Sequence, residues 1–101
     1  MGDPIDLTAL SGFDWDEGNS VKNLASHDVS DAEAEQVFFN RPRILRPDSE
    51  HSAVEPRYYL LGQTDAGRLL FVAFTVRGDR VRVISARDMT KKERRKYGEP
   101  R

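Results

Sequence analysis

RLLFVAFTVRGDRVRVISAR, residues 68–87, is the stretch on which the reading of the fold turns. From Leu69 to Val76 only Thr75 is polar, and β-branched and aromatic residues recur. A strand with no polar side is one buried on both faces, so this run predicts a central strand. From Arg80 to Arg87 the pattern becomes an alternation, Arg80, Arg82, Ile84 and Ala86 against Val81, Val83, Ser85 and Arg87. That predicts a strand with one core face. A two-residue Gly78-Asp79 loop sets Val76 opposite Val81 and Phe74 opposite Val83, apolar on apolar. A slip of one residue would face Phe74 with Arg82, which burial disfavours. The favoured register also sets Thr75 against Arg82 and Arg77 against Arg80. Like charges directly across two strands repel. Arg77 and Arg80 therefore call for an anion or carboxylate nearby, or they splay into water beside Asp79.

Upstream, Arg57 to Leu61 (RYYLL) reads as the preceding strand, joined through an Asp65-Ala66-Gly67 loop with Gly67 left-handed. This loop length pairs Tyr59 with Ala73 and Arg57 with Thr75, so Arg57, Thr75 and Arg82 form one polar row over three strands. A loop one residue longer would move Arg57 to the other face. Ile44-Leu45, bracketed by Pro42 and Pro47, suits a short edge strand, and residues 48–56 read as a loop. Ser30 and Glu33 make a capping box before a helix at 31–39 with Ala34, Val37 and Phe38 as its buried stripe. Val21, Leu24 and Ala25 suggest an earlier helix at 17–27, capped by Asp16. Phe13 and Trp15 alternate with Asp14, which permits a short strand leading into it. Thr90 and Glu93 make a second capping box, opening a basic helix at 91–97 gripped by Met89 and Tyr97. The expected fold is thus α+β: two N-terminal helices and a basic C-terminal helix on a mainly antiparallel sheet of about four strands. Residues 1–12 read as an irregular extension and 13–101 as one domain, the size that 101 residues allow.

A 33% charged, 38% apolar composition fits a globular domain with a wet surface. No apolar run approaches the roughly 20 residues of a membrane span, and the acidic, apolar-poor N-terminus lacks the marks of a signal peptide. Asp6 stands where a myristoylation signal wants Ser or Thr. Without cysteine there is neither a disulfide framework nor thiolate chemistry, and a cytoplasmic home is expected. The net charge of −1 conceals a division. Residues 1–55 hold 4 Lys/Arg against 12 Asp/Glu, and residues 56–101 hold 12 against 5. Such a division suits a polyanion or an acidic partner on one face, or two halves that neutralise each other in the fold.

The chain resembles the BrnT family of type II toxins, small relatives of the RelE-like ribonucleases, over about Phe13 to Tyr97. The resemblance is carried by F-D-W-D-E at 13–17, N-L-x-x-H and V-S within 23–30, A-E-x-V-F at 34–38 and D-S-E-H-S at 48–52. It continues with E-x-R-Y at 55–58, L-G-Q-T-D-A-G-R-L-L at 61–70, T-x-R-G-D-R-V-R-V-I-S-A-R from 75 and T-K-K-E-R-R-K-Y to 97. It implies RNA cleavage that arrests translation, and neutralisation by a BrnA-like antitoxin with a ribbon-helix-helix DNA-binding region in a two-plus-two complex. The chain departs from the family pattern where Asn19 replaces a lysine and Ser26-His27-Asp28 replaces Lys-His-Gly. Two lysines beside the expected RNA face are thereby lost.

Metal-independent RNA cleavage needs a base for the 2′-hydroxyl, cations against charge developing on the phosphorane, and an acid for the leaving 5′-oxygen. Arginine suits the second task, because its planar fork binds phosphate bidentately and stays charged. Arg77, Arg80 and Arg87 at strand ends are the leading candidates, with Arg57, Arg82, Lys91, Lys92, Arg94 and Arg95 along the RNA backbone. Arg82 has a structural alternative, paired to a helix carboxylate. His27 and His51 are the candidate acid and base. His27 alternatively favours a helix C-terminus, and His51 alternatively is an ordinary loop residue. Tyr58, Tyr59 and Tyr97 can stack a base or serve the core. The histidines lack a third ligand at metal spacing and the glycines form no phosphate loop, so no cofactor is expected. Besides a toxin ribonuclease, two other readings fit: a catalytically degenerate nucleic-acid- or antitoxin-binding module, and a structural partner whose halves cancel.

Overall fold

The computed structural model describes residues 4–51 and 55–98. Its strands are β1 (Gly12–Phe13), β2 (Ile44–Pro47), β3 (Arg57–Gln63), β4 (Leu69–Arg77) and β5 (Arg80–Asp88). Its helices are α1 (Ser20–His27), α2 (Asp31–Phe39) and α3 (Lys91–Gly98), with 3₁₀ turns at Leu7–Ala9 and Ser49–His51. The five strands form one sheet in the order β1-β5-β4-β3-β2, so the apolar run of residues 69–76 is indeed the middle strand. The α+β class is as expected, but the sheet has five strands and is mixed, because β1 runs parallel to β5. A two-residue strand carries no periodicity, which is why the sequence only permitted it. Among the described residues, no helix is long and apolar enough to cross a membrane.

Both hairpins adopt the expected registers. Arg77 faces Arg80, Val76 faces Val81 and Thr75 faces Arg82, while Arg57 faces Thr75 and Tyr59 faces Ala73. Gly78 (φ 62°) and Gly67 (φ 88°) supply the left-handed backbone on which these turns depend. The alternation expected along β5 does not persist. The ladder shifts between Ala73 and Phe74, so that Phe74 faces Val83, Ala73 faces Ser85 and Ile84 is the extra residue. Such a bulge reverses the side-chain phase beyond it. Ala86 therefore joins Val81 and Val83 in the core, and Arg87 crosses to the opposite face, against Phe71.

The main core lies between the sheet and α2, where Ala34, Val37 and Phe38 meet Leu60, Val72 and Phe74. On the other face α3 covers one end of the sheet, with Met89 and Tyr97 on Ile44 and Leu61.

The first helix differs from its expected form. It starts at Ser20, capped by Asn19 rather than Asp16. Leu24 is 55% exposed and Ala25 is exposed too, while Asn19 and Asn23 are buried; the side chain of Val21 lies outside the described residues. The cause is the outer edge of β5. Strand β1 pairs only with Arg80 and Val81, so backbone groups farther along that edge need other partners. Asn19 Nδ2 donates to the Val83 carbonyl at 3.0 Å, and Asn23 Oδ1 accepts from the Ala86 N–H at 3.0 Å. Two asparagines four apart on one helix face thus stand in for a missing strand.

Helix α1 ends at Asp28 in the left-handed conformation (φ 55°, ψ 40°). There a side chain is strained and a carboxylate opposes the helix dipole. Asp28→Gly is expected to stabilise the fold by about 0.5–1 kcal/mol in urea denaturation; a loss would contradict the strain argument.

Candidate nucleic-acid interface

Alternation along the strands brings four cross-strand rows to the face that α3 half covers. They are Ile44–Leu61–Phe71–Arg87, Arg46–Tyr59–Ala73–Ser85, Arg57–Thr75–Arg82 and Arg77–Arg80. The polar row expected from the two loop lengths therefore exists. Its centre, Thr75, is buried and donates its hydroxyl to the Pro56 carbonyl at 2.6 Å.

Most of these arginines already hold acids. Arg77 pairs with Glu55 at 3.1 Å. Arg82 pairs with Asp16 at 3.1 Å and Asp14 at 3.6 Å, so its partners lie in the loop before α1 rather than on a helix. Arg87 grips Glu93 bidentately at 2.8 and 3.0 Å. Arg57 is engaged as well. Arg80 is exposed and donates to the Phe13 carbonyl at 3.5 Å, with no ion pair at contact distance among the described residues. All three acids that hold Arg77 and Arg82 come from the acidic residues 1–55, so part of the charge division is cancelled internally.

The carboxylates register this pairing. Arg77 holds Glu55 below the usual carboxylate range, with Arg57 and Arg82 adding to it. The hydrogen bond from Arg82 does the same for Asp16. Burial pushes Glu93 up, but Arg87 and the Thr90 N–H outweigh it and the net shift is downward. All these groups bind fewer protons folded than unfolded. Their stabilisation is complete above the unfolded carboxylate values, roughly 4–4.5, and is lost as pH falls through the lower folded values. The urea midpoint is thus expected to be flat from about pH 7 to 5 and to fall below about pH 4; a midpoint unchanged at acid pH would show the pairs to be inconsequential.

On α3, Lys91, Arg94 and Arg95 line an open, shallow hollow. Lys91, Lys92 and Arg95 have no carboxylate partner among the described residues. Arg94 donates to the Met89 carbonyl at 3.0 Å. Lys92 and Lys96, both exposed, border a groove of about 490 Å³ that Tyr59 and Phe71 also line. Of the three tyrosines, Tyr58 packs on Phe74 in the core, and Tyr97 is buried with its hydroxyl donating to the Pro42 carbonyl. Only Tyr59 faces the groove.

The four residues expected to carry catalysis are not one cluster. Arg77 and Arg80 flank the hairpin turn, and six residues, one of them the bulged Ile84, lie between Arg80 and Arg87, a span of about 20 Å. His27 is exposed at the end of α1, near Asp88, and so belongs to the Arg87 end. The His51 side chain lies outside the described residues. Among the described residues, no three His, Asp or Glu side chains are placed to share a metal ion. Asn19, at one of the two lost lysine positions, is buried at the edge of β5 rather than on the arginine face. Asn19 is 3% exposed, its amide bonded to Asp14 and Val83 carbonyls and its oxygen to the Asp16 and Ser20 N–H groups. Ser26, at the other, is exposed on α1.

Arg68 was not singled out by sequence. It bonds Asp88 at 2.8 Å, Glu33 at 3.1 Å and the Asp28 and His27 carbonyls at 2.8 and 3.3 Å. These contacts clamp the end of α1 to the end of β5. They link residues far apart in the chain, and nothing local could have revealed them.

A family model described as "Ribonuclease toxin, BrnT, of type II toxin-antitoxin system" matches residues 15–93. No curated protein matches the chain.

Proposed function

The chain belongs to the BrnT family of ribonuclease toxins of type II toxin–antitoxin systems, and we propose that it cleaves RNA by metal-independent acid–base chemistry and thereby inhibits translation. The observation that carries this reading is the alignment of Arg57, Arg82, Arg77, Arg80 and Arg87 along one sheet face. RNA runs from the hairpin turn along β5 towards α3. Chemistry takes place at the α3 end, where Arg87 offsets phosphorane charge and His27 exchanges a proton with the 2′-hydroxyl or the 5′-oxygen. Arg77, Arg80, Arg57, Arg82 and the α3 cations Lys91, Lys92, Arg94 and Arg95 hold the flanking phosphates. The partner is a BrnA-like antitoxin carrying a ribbon-helix-helix region, in a two-plus-two complex.

Purified protein is expected to degrade RNA in EDTA, leaving 2′,3′-cyclic phosphate and 5′-hydroxyl ends, and its induction is expected to arrest growth. Intact RNA and unchanged growth with soluble, folded protein would sink the proposal. A second reading, a catalytically degenerate binding module of the same fold, is favoured by the carboxylates on Arg77, Arg82 and Arg87. That reading expects RNA or antitoxin binding without cleavage.

Because Glu55 occupies Arg77, Glu55→Gln is expected to tighten RNA binding several-fold at low salt. It should also steepen the log–log salt dependence by about 0.7 for single strands, one phosphate contact. Unchanged affinity would take Arg77 off the RNA path.

A further inference from the structure

Beside the arginine rows, the groove under α3 has a different chemistry. The Tyr59 and Phe71 rings stack with centroids 5.5 Å apart and planes 20° from parallel. On the β5 side, the Arg87 guanidinium lies 4.1 Å from the Phe71 ring centre. Across the sheet this makes a column of a guanidinium, a phenyl ring and a phenol, with Tyr59 at its outer end. Lys96 on α3 stands 5.8 Å from the Tyr59 ring centre and donates to its hydroxyl at 3.2 Å. The same groove contains Asp48, Glu50 and Glu93.

Resting on the proposed ribonuclease reading, we infer that this groove seats an unpaired base of single-stranded RNA, stacked on the outer face of Tyr59. Every nucleobase offers a π-face to an aromatic ring, and cations around the ring strengthen the stack. Lys92 and Lys96, one helical turn apart, meet the phosphates on either side of that base. Glu50, exposed in the groove, repels a second row of phosphates but accepts N–H groups from a base edge, as acids do from exocyclic amines. A duplex keeps its bases inside and its phosphates outside, so it gains nothing from Tyr59 and meets the acids. The groove therefore selects loops and single strands over helices.

The test uses the full chain and a fluorescent 2′-O-methyl RNA decamer, which lacks the 2′-hydroxyl nucleophile, with 2-aminopurine as an internal base. The same strand paired to its complement supplies the duplex. Wild type is expected to bind the single strand at least about 10-fold tighter than the duplex, with quenching of the 2-aminopurine. Tyr59→Ala should weaken that binding about 10-fold, the scale of one lost base stack, and abolish the quenching. Tyr59→Phe keeps the ring while losing the Lys96 hydrogen bond, and it should stay within about 2-fold of wild type. Should the alanine variant misfold, Tyr59→Leu retains packing on Phe71 without an aromatic face and should behave as alanine was expected to. Equal affinity of folded Ala or Leu variants for the single strand overturns the inference, as does equal wild-type affinity for the duplex. If ordinary RNA is still cleaved in that case, the ribonuclease reading survives alone. If wild type neither binds the decamer nor cleaves RNA, both fall.

Discussion

Arg87→Ala is expected to reduce RNA cleavage by about 100-fold or more, the usual loss when a preorganised donor to a developing oxyanion is removed. Three features of Arg87 motivate that expectation. The β5 bulge turns it to the face that carries the other arginines. Phe71 lies beneath its guanidinium, and Glu93 fixes its fork through two short bonds. Held in this way, it loses little conformational freedom when a phosphate arrives. The same pairing is its main rival explanation, since Glu93 also accepts from the Thr90 N–H at the start of α3 and a structural ion pair would look identical. Glu93→Gln separates the two. If Arg87 acts on RNA, the glutamine variant keeps or raises cleavage, because the cation is freed. If the pair only holds α3 in place, Glu93→Gln and Arg87→Ala lose activity together, along with helix content. Arg87→Lys keeps the charge without the fork and is expected to fall between wild type and alanine.

Asn23→Leu is expected to destabilise the fold by about 2–4 kcal/mol, although it replaces an amide by an apolar residue of similar size. Asn23 is 1% exposed; its oxygen takes the Ala86 N–H and its amide donates to the Asn19 carbonyl at 2.9 Å. Leucine can do neither, and an orphaned buried backbone donor costs about 1–3 kcal/mol before the misfit of the new side chain is added. The neighbouring Leu24→Ala is expected to change stability by less than about 0.5 kcal/mol, because that side chain faces water. Urea denaturation of both variants reads the contrast directly. A mild Asn23→Leu and a severe Leu24→Ala would mean that α1 turns Leu24, not Asn23, towards β5.

That inverted ranking marks the limit of pattern reading. Helix α2 was legible in full, with its Ser30–Glu33 capping box and its Ala34, Val37 and Phe38 stripe, because cap and stripe agree within a few residues. The registers of both hairpins were legible as well. In the β4–β5 hairpin only one loop length places apolar residues against apolar ones; in the β3–β4 hairpin the signal was Gly67, standing where a three-residue loop needs a left-handed residue. Helix α1 was misread because its buried face serves hydrogen bonds on a distant strand edge rather than an apolar surface, and a hydrophobic pattern cannot report that. Arg87 was chosen for its place at a strand end. Its actual face was set by the Ile84 bulge, which the alternation gave no sign of.

Local regularities in the chain therefore settle the central strand, its neighbours, the second helix and the family. The strands and the helix rest on short-range sterics and on the side-chain period of each element, the family on the ordered motifs between Phe13 and Tyr97. Three further matters depend on long-range contact: which acids occupy which arginines, how far His27 lies from Arg77 and Arg80, and what the aromatic groove faces. Glu55 and Arg77 are 22 residues apart and Asp16 and Arg82 are 66 apart. Charges so distant in sequence meet only because the sheet closes the chain between them, and no local rule encodes where that closure brings them.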